Sequence, residues 1–260
     1  MKQEISSNFT ETNFSPVNFQ EHGNLRVDTS VLEPHLATIN NTNVVVEEVV
    51  EIASDCPVVL LKNEETGKFQ LTALFGLDTT ENLLVGEKGE WIGTYLPVGL
   101  EIQPFAMFIN EEETKRLQIN MLSPLVSSNI GVALFSNKKP STYLIEMREQ
   151  LEVIHDASLQ TESFIESLVN RNLITQCRLI IEQANHPSKV ISDFYTINYD
   201  EFDYMAEEDI LRFHKMGYWA PIYAMRQSLN QFKRLASLKT SKEKVEKINV
   251  VLHIDSETEE

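Results

Sequence analysis

The stretch LTALFGLDTTENLLVGEKGEWIGTYLPVGLEIQPFAMFI, residues 71–109, decides the fold predicted for this chain. Apolar residues alternate with polar or small ones over Leu71–Phe75, and Asn82–Val85 is a second short apolar run. Because this period and length are typical of half-buried or buried strands, the sequence predicts two strands here. Gly86 and Gly89 then provide the backbone freedom for a turn.

Two prolines bracket the next predicted element. Pro97 can begin a helix, since its φ is fixed and it has no amide hydrogen to lose, and Pro104 should end that helix. Residues 105–109 are then predicted as another strand. No side chain of the central stretch is an evident nucleophile, metal ligand or phosphate-binding group. The stretch therefore predicts an architecture and not an activity.

The flanking segments extend this pattern in both directions. On the N-terminal side, residues 44–53 are predicted as a helix, residues 58–61 as a buried strand and residues 65–68 as the turn of a hairpin. On the C-terminal side, residues 117–122 are predicted as a strand. Residues 123–140 contain many Ser and Asn together with Pro and Gly, so an irregular connection is expected there.

The second half of the chain is predicted to be richer in helix. Ser141 is a suitable N-cap, and apolar residues at spacings of three and four predict one long amphipathic helix that runs to about Asn172. The remaining predicted elements are strands at 177–183 and 194–199, helices at 206–216 and 221–238, and a strand at 248–254.

These elements predict an α+β fold, with a mixed, mostly antiparallel sheet in the N-terminal half packed with the long amphipathic helix and the C-terminal helices. Residues 1–33 are predicted as a flexible N-terminal arm whose phenylalanines, at five-residue spacing, dock on the body of the protein or on a partner. Residues 34–238 are predicted as the α+β domain, with a sub-boundary near 123–140. Residues 239–260 are predicted as a tail with an edge strand.

Charge and composition exclude some classes of partner. The chain has 39 acidic and 22 basic residues and a net charge of −17, which disfavours general binding to nucleic acids or anionic membranes because like charges repel. No apolar run has the length of a signal peptide or of a membrane span, so a cytoplasmic location is expected. Cys56 and Cys177 each lie in an apolar segment and are predicted as buried, reduced thiols.

Motifs for catalysis or for cofactor binding are missing from the sequence. The six histidines show no metal-ligand spacing, and no Cys-x-x-Cys, Gly-x-Ser-x-Gly or phosphate-loop pattern occurs. His155 and Asp156 are neighbours within the long predicted helix, where adjacent side chains point about 100° apart and cannot form a dyad. The sequence accordingly predicts neither a metal site nor a cofactor, although a site assembled from scattered residues stays open.

Several short runs, taken in order, carry a resemblance to a known family. In the first half they are CPVVL at 56–60, LFGL at 74–77, ENLLV at 81–85, GEW at 89–91, YLP at 95–97 and QPF at 103–105. In the second half they are FYTI at 194–197, the spaced set Leu211, Phe213, His214 and Gly217, and IYAMRQSL at 222–229. Over about His35 to Leu238 the chain thus resembles the SapC family of bacterial proteins.

The resemblance implies an accessory role. The family takes its name from a component associated with bacterial surface-layer systems, and its members are often encoded near cupin-type oxygenases and flavin-dependent tryptophan-halogenase-like proteins. A protein or peptide partner is therefore implied, either a cupin-type oxygenase or a halogenase-like flavoprotein. Where the family commonly has an Arg pair before Pro-Phe, this chain has Glu101, Ile102 and Gln103, so no function that needs those two positive charges is implied here.

Two hypotheses follow for function. The first is a non-catalytic binding protein that supports a surface-layer, peptide-modification or export pathway. Its recognition surface would use the aromatic side chains of Trp91, Tyr95, Tyr218 and Trp219, since such rings carry much of the binding energy at interfaces. Packing in the core or between domains is the alternative role for the same four rings.

The predicted binding set also includes three polar residues, namely Asn82, Glu101 and His214. The second hypothesis is an enzyme or an oxygenase-linked subunit in which His214, Tyr95, Glu101 and Glu81 converge. Such a site requires these groups to lie within a few ångströms of one another in a concave pocket.

Overall fold

A computed structural model describes residues 13–64, 66–109 and 114–255. Its strands are β1 Phe14–Pro16, β2 Arg26–Val27, β3 Asn41–Asn43, β4 Val58–Lys62, β5 Phe69–Leu74, β6 Phe105–Ile109, β7 Lys115–Asn120, β8 Val126–Ser127, β9 Val132–Ala133, β10 Phe135–Ser136, β11 Lys139–Pro140, β12 Ile174–Glu182, β13 Lys189–Ile197 and β14 Asn249–Ile254.

The α-helices are α1 Phe19–His22, α2 Leu32–Leu36, α3 Val49–Ile52, α4 Val98–Glu101, α5 Thr142–Val169, α6 Glu207–Met216, α7 Trp219–Ser228 and α8 Gln231–Glu243. Short 3₁₀ helices occupy Thr29–Val31, Val46–Glu48 and Asp200–Tyr204. None of the helices in the described part of the chain is long and apolar enough to cross a lipid bilayer.

The largest sheet has six antiparallel strands in the order β14-β12-β13-β4-β5-β3. The predicted hairpin of β4 and β5 lies in this sheet, and residues 58–61 are buried, as a continuous apolar run predicts. The α+β class is confirmed. The sheet is not confined to the N-terminal half, because β12, β13 and β14 come from the second half and β13 pairs directly with β4.

Residues 13–33 of the predicted arm take part in the folded structure. β1 pairs with β7 in a three-stranded sheet of order β1-β7-β6, and β2 lies between β8 and β9 in another. His22 and Val27 are buried. The first twelve residues of the predicted arm, including Phe9, lie outside the described residues.

The long helix is confirmed, and it connects two hydrophobic cores. Its N-cap is Ser141, whose hydroxyl accepts a hydrogen bond from the amide of Leu144. Phe164 and Leu168, near its C-terminal end, belong to the core of the six-stranded sheet. Leu144 and Leu151, near its N-terminal end, belong to a second core that includes residues of β6 and β7. Because one continuous helix contributes to both cores, it holds them in a fixed arrangement.

The predicted strand at Asn82–Val85 is wrong. This segment is a turn with only a single bridge between Val85 and Trp91. The Asn82 side chain accepts a hydrogen bond from the amide of Leu84, two residues further on. Side-chain bonds of this kind compete with strand pairing, and a short apolar run alone does not reveal them.

The helix predicted over 221–238 is in fact two helices, α7 and α8, separated at Leu229 and Asn230. At the end of α7, the buried Ser228 hydroxyl donates to the carbonyl of Met225 at 2.6 Å and accepts from the amide of Val58 at 2.9 Å. The hydroxyl thereby joins the helix end to strand β4, in a way that helical periodicity does not predict.

Most other predicted elements agree with the structure within a few residues, but β13 begins five residues before the strand predicted at 194–199, and the connection 123–140 contains the two-residue strands β8 to β11. The predicted tail strand is β14, at an edge of the large sheet, and residues 256–260 of the tail lie outside the described residues. Cys56 and Cys177 are both buried and free, and burial raises the pKa of each thiol well above its usual range. The thiols therefore behave as packing groups.

Candidate functional site

A cleft of about 550 Å³ lies between the two cores. One wall is formed by residues 38–43, which include the edge strand β3, and the opposite wall by residues 99–107, from the end of α4 into β6. The side chains of Leu151, Ile154 and Ser158 come from α5. The volume falls within the range that is common for small-molecule and cofactor sites.

The described residues that line the cleft include no Asp, Glu, Lys or Arg. Polar groups come instead from amides and hydroxyls, including those of Asn40, Asn41, Thr42, Asn43, Gln103 and Asn120. Apolar surface is provided by Phe105, Met107 and the helix α5. In a chain with a net charge of −17, this surface is neutral, and it can donate and accept hydrogen bonds.

Two imidazoles also line the cleft. Burial lowers the pKa of His35, and the hydrogen bond with the Gln103 side chain opposes this shift only in part, so His35 is neutral near pH 7. His155 comes from α5, and its neighbour Asp156 forms an ion pair with Lys115 at 3.6 Å. This agrees with the expectation that His155 and Asp156 do not form a dyad.

Asn82 is hydrogen-bonded to the backbone just before the cleft wall of residues 38–43. Its side chain is fully buried, and its Nδ2 donates to the carbonyl of Leu36 at 3.0 Å. Its backbone amide donates to the carbonyl of Ala37 at 3.1 Å. The segment between His35 and Ile39 is therefore fixed by one residue that does not itself line the cleft.

Glu48 holds the opposite wall. Its carboxylate accepts from the amide of Val98 at 3.0 Å, from the Tyr95 hydroxyl at 3.1 Å and from the amide of Val45 at 3.0 Å. Burial raises the pKa of Glu48, against the opposing effect of these donors. Because Val98 is the first residue of α4, the carboxylate fixes the helix that carries Gly99 and Leu100 of the wall.

The predicted residues near this wall do not line the cleft. Burial, and to a smaller extent the negative charge of Glu48, raises the pKa of Tyr95 to about 12. The Tyr95 hydroxyl therefore stays protonated. Trp91 donates from Nε1 to the carbonyl of Tyr95 at 3.0 Å and packs edge-on against Phe75. Glu101 is exposed at the end of α4.

The remaining predicted aromatics pack within a cluster in the second half. Tyr218 is buried against Phe164 and Phe213, and Trp219 is half-buried against Phe202 and Phe213. Trp219 also stacks on Tyr223, which is exposed, so the use of the two rings in binding stays a prediction.

The four groups of the predicted enzyme site do not meet in the cleft, since none of them lines it. Tyr95 is engaged by Glu48, and His214 is exposed on α6. Glu81 accepts a hydrogen bond at 2.8 Å from Lys239, which also donates to Asp78 at 2.6 Å.

Asp78 and Glu81 belong to a charged cluster that joins the loop after β5 to α8 and β13. Burial opposes ionisation of Asp78, but hydrogen bonds from Lys189 and Lys239 hold its pKa below its usual range. Burial likewise opposes the charge of Lys239, but the carboxylates around it raise its pKa. The cluster is a structural connection between elements that are far apart in sequence.

Sequence reasoning missed the cleft and its residues His35, Asn40 and Gln103. One local signal was present, the run Asn40-Asn41-Thr42-Asn43, which places three amides and a hydroxyl at consecutive positions. The opposite wall, residues 99–107, gave no such signal, because Gln103 is the one polar side chain that it adds to the cleft among the described residues.

Residues 17–235 match the SapC family model. This range contains the segments that form most of the cleft, its two buried anchors Asn82 and Glu48, and five of the six strands of the large sheet, all but β14. The chain belongs to the SapC family. No curated protein and no solved structure matches it. The cleft of this SapC chain includes Ile102 and Gln103.

Proposed function

We propose that this SapC-family chain is a cytoplasmic, non-catalytic binding protein that holds an uncharged, extended peptide segment in the cleft. The observation that carries the proposal is the cleft lining, which combines amides and apolar side chains and has no charged side chain among the described residues. The family resemblance supports a role in a surface-layer, peptide-modification or export pathway. It also supports a cupin-type oxygenase or a halogenase-like flavoprotein as the partner.

The chemistry of the lining favours a neutral ligand. A charged group that enters the cleft loses water without gaining a counter-charge, and burial of an unpaired charge is costly. Peptide groups are neutral and both donate and accept hydrogen bonds, as the side chains of Asn41, Asn43 and Gln103 do. Apolar side chains of the ligand would contact Phe105 and Ile154.

The register of β3 supports an extended ligand. The amide of Phe75 donates to Asn40, and the amide of Val44 donates to Leu71 of β5. Because antiparallel pairing alternates, the backbone groups of Asn41 and Asn43 point away from β5, on the side where the cleft wall lies. Gly99 of α4 lies beside the carbonyl of Asn43, so an extended peptide can pair as a short added strand with the outward groups of Asn41 alone.

A substitution that fills the cleft tests this function. Ser158→Trp places a large ring in the cleft from α5, and Ser163→Trp places the same ring on an exposed position of the same helix. Each protein is used as bait in extracts of the native host, and captured proteins and peptides are identified by mass spectrometry. Wild type and Ser163→Trp should capture the same partner, and Ser158→Trp should lose it.

Thermal unfolding of both variants verifies that each is folded. Capture of the same partner by folded Ser158→Trp would remove the support for the cleft as the binding site. If wild type captures nothing above the background of an unrelated bait, the binding function itself is wrong.

The second candidate function is catalysis in the same cleft. It is favoured by the two imidazoles of His35 and His155, the first of which is neutral near pH 7 and able to accept a proton. The captured ligand is incubated with wild type, His35→Gln and His155→Gln, and its mass is measured. Conversion by wild type that either variant abolishes, with capture retained, would favour the enzyme over the binding protein.

A further inference from the structure

The two edges of the six-stranded sheet differ in how they are protected. At one edge, β3 is only three residues long, and α4 lies beside it, with Gly99 close to the carbonyl of Asn43 and the hydroxyl of Thr42. At the other edge, β14 has six residues, NVVLHI, without proline, lysine or a carboxylate. Natural sheets usually protect long edges with such residues, with bulges or with a covering element.

The outer side of β14 presents unpaired backbone groups. The amide of Asp255 donates to the carbonyl of Gln176, which precedes Cys177 in β12. Because antiparallel pairing alternates, the residues of β14 that bond to β12 are Asn249, Val251 and His253. Val250, Leu252 and Ile254 therefore direct their N–H and C=O groups away from the sheet. Within the described part of the chain, none of these outward N–H and C=O groups has a backbone hydrogen-bond partner.

The same three residues also leave apolar surface uncovered. Opposite them in β12 are the buried side chains of Ile181, Leu179 and Cys177, so all three face the core side of the sheet. Even so, Ile254 is 46% exposed, and Val250 and Leu252 are only partly buried. The core of the large sheet is thus open at this edge.

We propose that β14 pairs in antiparallel fashion with β14 of a second copy of this chain, which produces a continuous twelve-stranded sheet across a two-fold axis. The outward residues fix the register: Leu252 lies opposite Leu252 of the partner subunit, and Val250 lies opposite the partner's Ile254. Each of these pairs exchanges two backbone hydrogen bonds. The pairs also bring three sets of apolar side chains together on the core side of the sheet.

The charges that flank β14 favour a second copy as the occupant. Residues 242–247, before the strand, contain three lysines and two glutamates, and residues 256–260, after it, contain three acids and no base. Antiparallel self-pairing places the basic end of one β14 beside the acidic end of the other, while parallel pairing would align like charges. This local attraction acts against the repulsion between two chains that each carry a net charge of −17, and it fixes the antiparallel direction of the pairing.

Leu252→Pro and Leu252→Ala form a matched pair that tests the backbone pairing. Both remove the leucine side chain, but only proline removes the outward N–H and places a ring at the edge. The bonds to β12 survive, because the amide of residue 252 does not take part in them. Sedimentation velocity should give wild type and Leu252→Ala as particles of twice the 29.8 kDa chain mass and Leu252→Pro as a single chain.

Wild type that sediments as a single chain at about 100 μM, well above typical dissociation constants of stable dimers, would overturn the proposal. So would a Leu252→Pro protein that remains dimeric, or a Leu252→Ala protein that dissociates as fully as the proline variant. If Leu252→Pro does not fold, as judged by circular dichroism, Ile254→Pro replaces it with Ile254→Ala as its control. The same outcomes then decide, because the amide of Ile254 also points outward.

Discussion

Asn82→Asp changes one atom in a buried anchor of the cleft wall. Asn82 is fully buried, its Nδ2 donates to the carbonyl of Leu36 at 3.0 Å, and its Oδ1 accepts from the amide of Leu84 at 2.9 Å. Aspartate has the same shape, but it places an oxygen against the carbonyl of Leu36. The folded variant must therefore carry a protonated carboxyl group that donates to Leu36, since an ionised one would be buried and repelled.

The cost of this proton follows from the pH. An ordinary aspartate has a pKa of about 3.9, and each pH unit above it costs about 1.4 kcal/mol for a group that must stay protonated. The expected loss is about 1.5 kcal/mol at pH 5 and about 4 kcal/mol at pH 7, a large part of a typical stability of about 5–15 kcal/mol. The folded pKa is raised, so stability is retained below the unfolded pKa and lost as the pH rises toward the folded value.

Urea unfolding of wild type and Asn82→Asp at pH 5, 6 and 7 measures the loss. The difference in the free energy of unfolding should grow by about 1.4 kcal/mol per pH unit until the folded pKa is reached. Asn129→Asp is the control, because Asn129 is exposed, and its difference should stay within about 0.5 kcal/mol at every pH. A difference for Asn82→Asp that is small or independent of pH would refute the account of Asn82 as an anchor of the wall.

Three further changes test other connections. Glu48→Gln turns an amide N–H toward a backbone donor and should cost about 1–3 kcal/mol in urea unfolding, while Glu47→Gln, one residue away and exposed, should cost under about 0.5 kcal/mol; equal losses would contradict the role of the buried carboxylate. Asp78 has a lowered pKa, so the stability linked to it is present above about pH 3.9 and is lost as the pH falls through the folded value. Asp78→Asn should therefore flatten the acid side of the profile of melting temperature against pH, and an unchanged profile would count against the ion pairs. Gly131→Ala should lower the free energy of unfolding by more than about 3 kcal/mol, because the new Cβ would lie 2.1 Å from the carbonyl oxygen of Val27. Gly67 also has a positive φ but has open space around it, so Gly67→Ala should cost only about 1 kcal/mol. Similar melting temperatures for the two variants would contradict the close approach at Gly131.

Local signals in the sequence were sufficient for most individual elements. The long helix was predicted because its cap, Ser141, and its apolar spacing both act within a few residues. The hairpin of β4 and β5 was predicted for the same reason. The errors at Asn82–Val85 and at Ser228 arose where a single polar side chain bonds to backbone, in one instance to a strand far away in the sequence.

The cleft could not be predicted from the sequence, because its walls come from segments that no local pattern connects. Asn41 and Gln103 belong to opposite walls, yet neither carries a motif that identifies the other. Their approach depends on Asn82 and Glu48, two buried polar residues. Of these, Asn82 was predicted as a binding residue, and Glu48 was read as part of a helix. In both, the decisive contact is a hydrogen bond to a distant backbone group, which composition and spacing do not encode.

The pairing of β13 with β4 has a consequence for how the chain reaches this structure. Leu60 lies opposite Tyr195 and Leu61 opposite Phe194. The hairpin of β4 and β5 is therefore synthesised before its partner strand β13, which leaves the ribosome more than a hundred residues later. During that interval one side of the hairpin stays unprotected against other nascent chains. Cutting the gene in the 123–140 connection should therefore give two insoluble fragments, and co-expression of both should restore soluble protein.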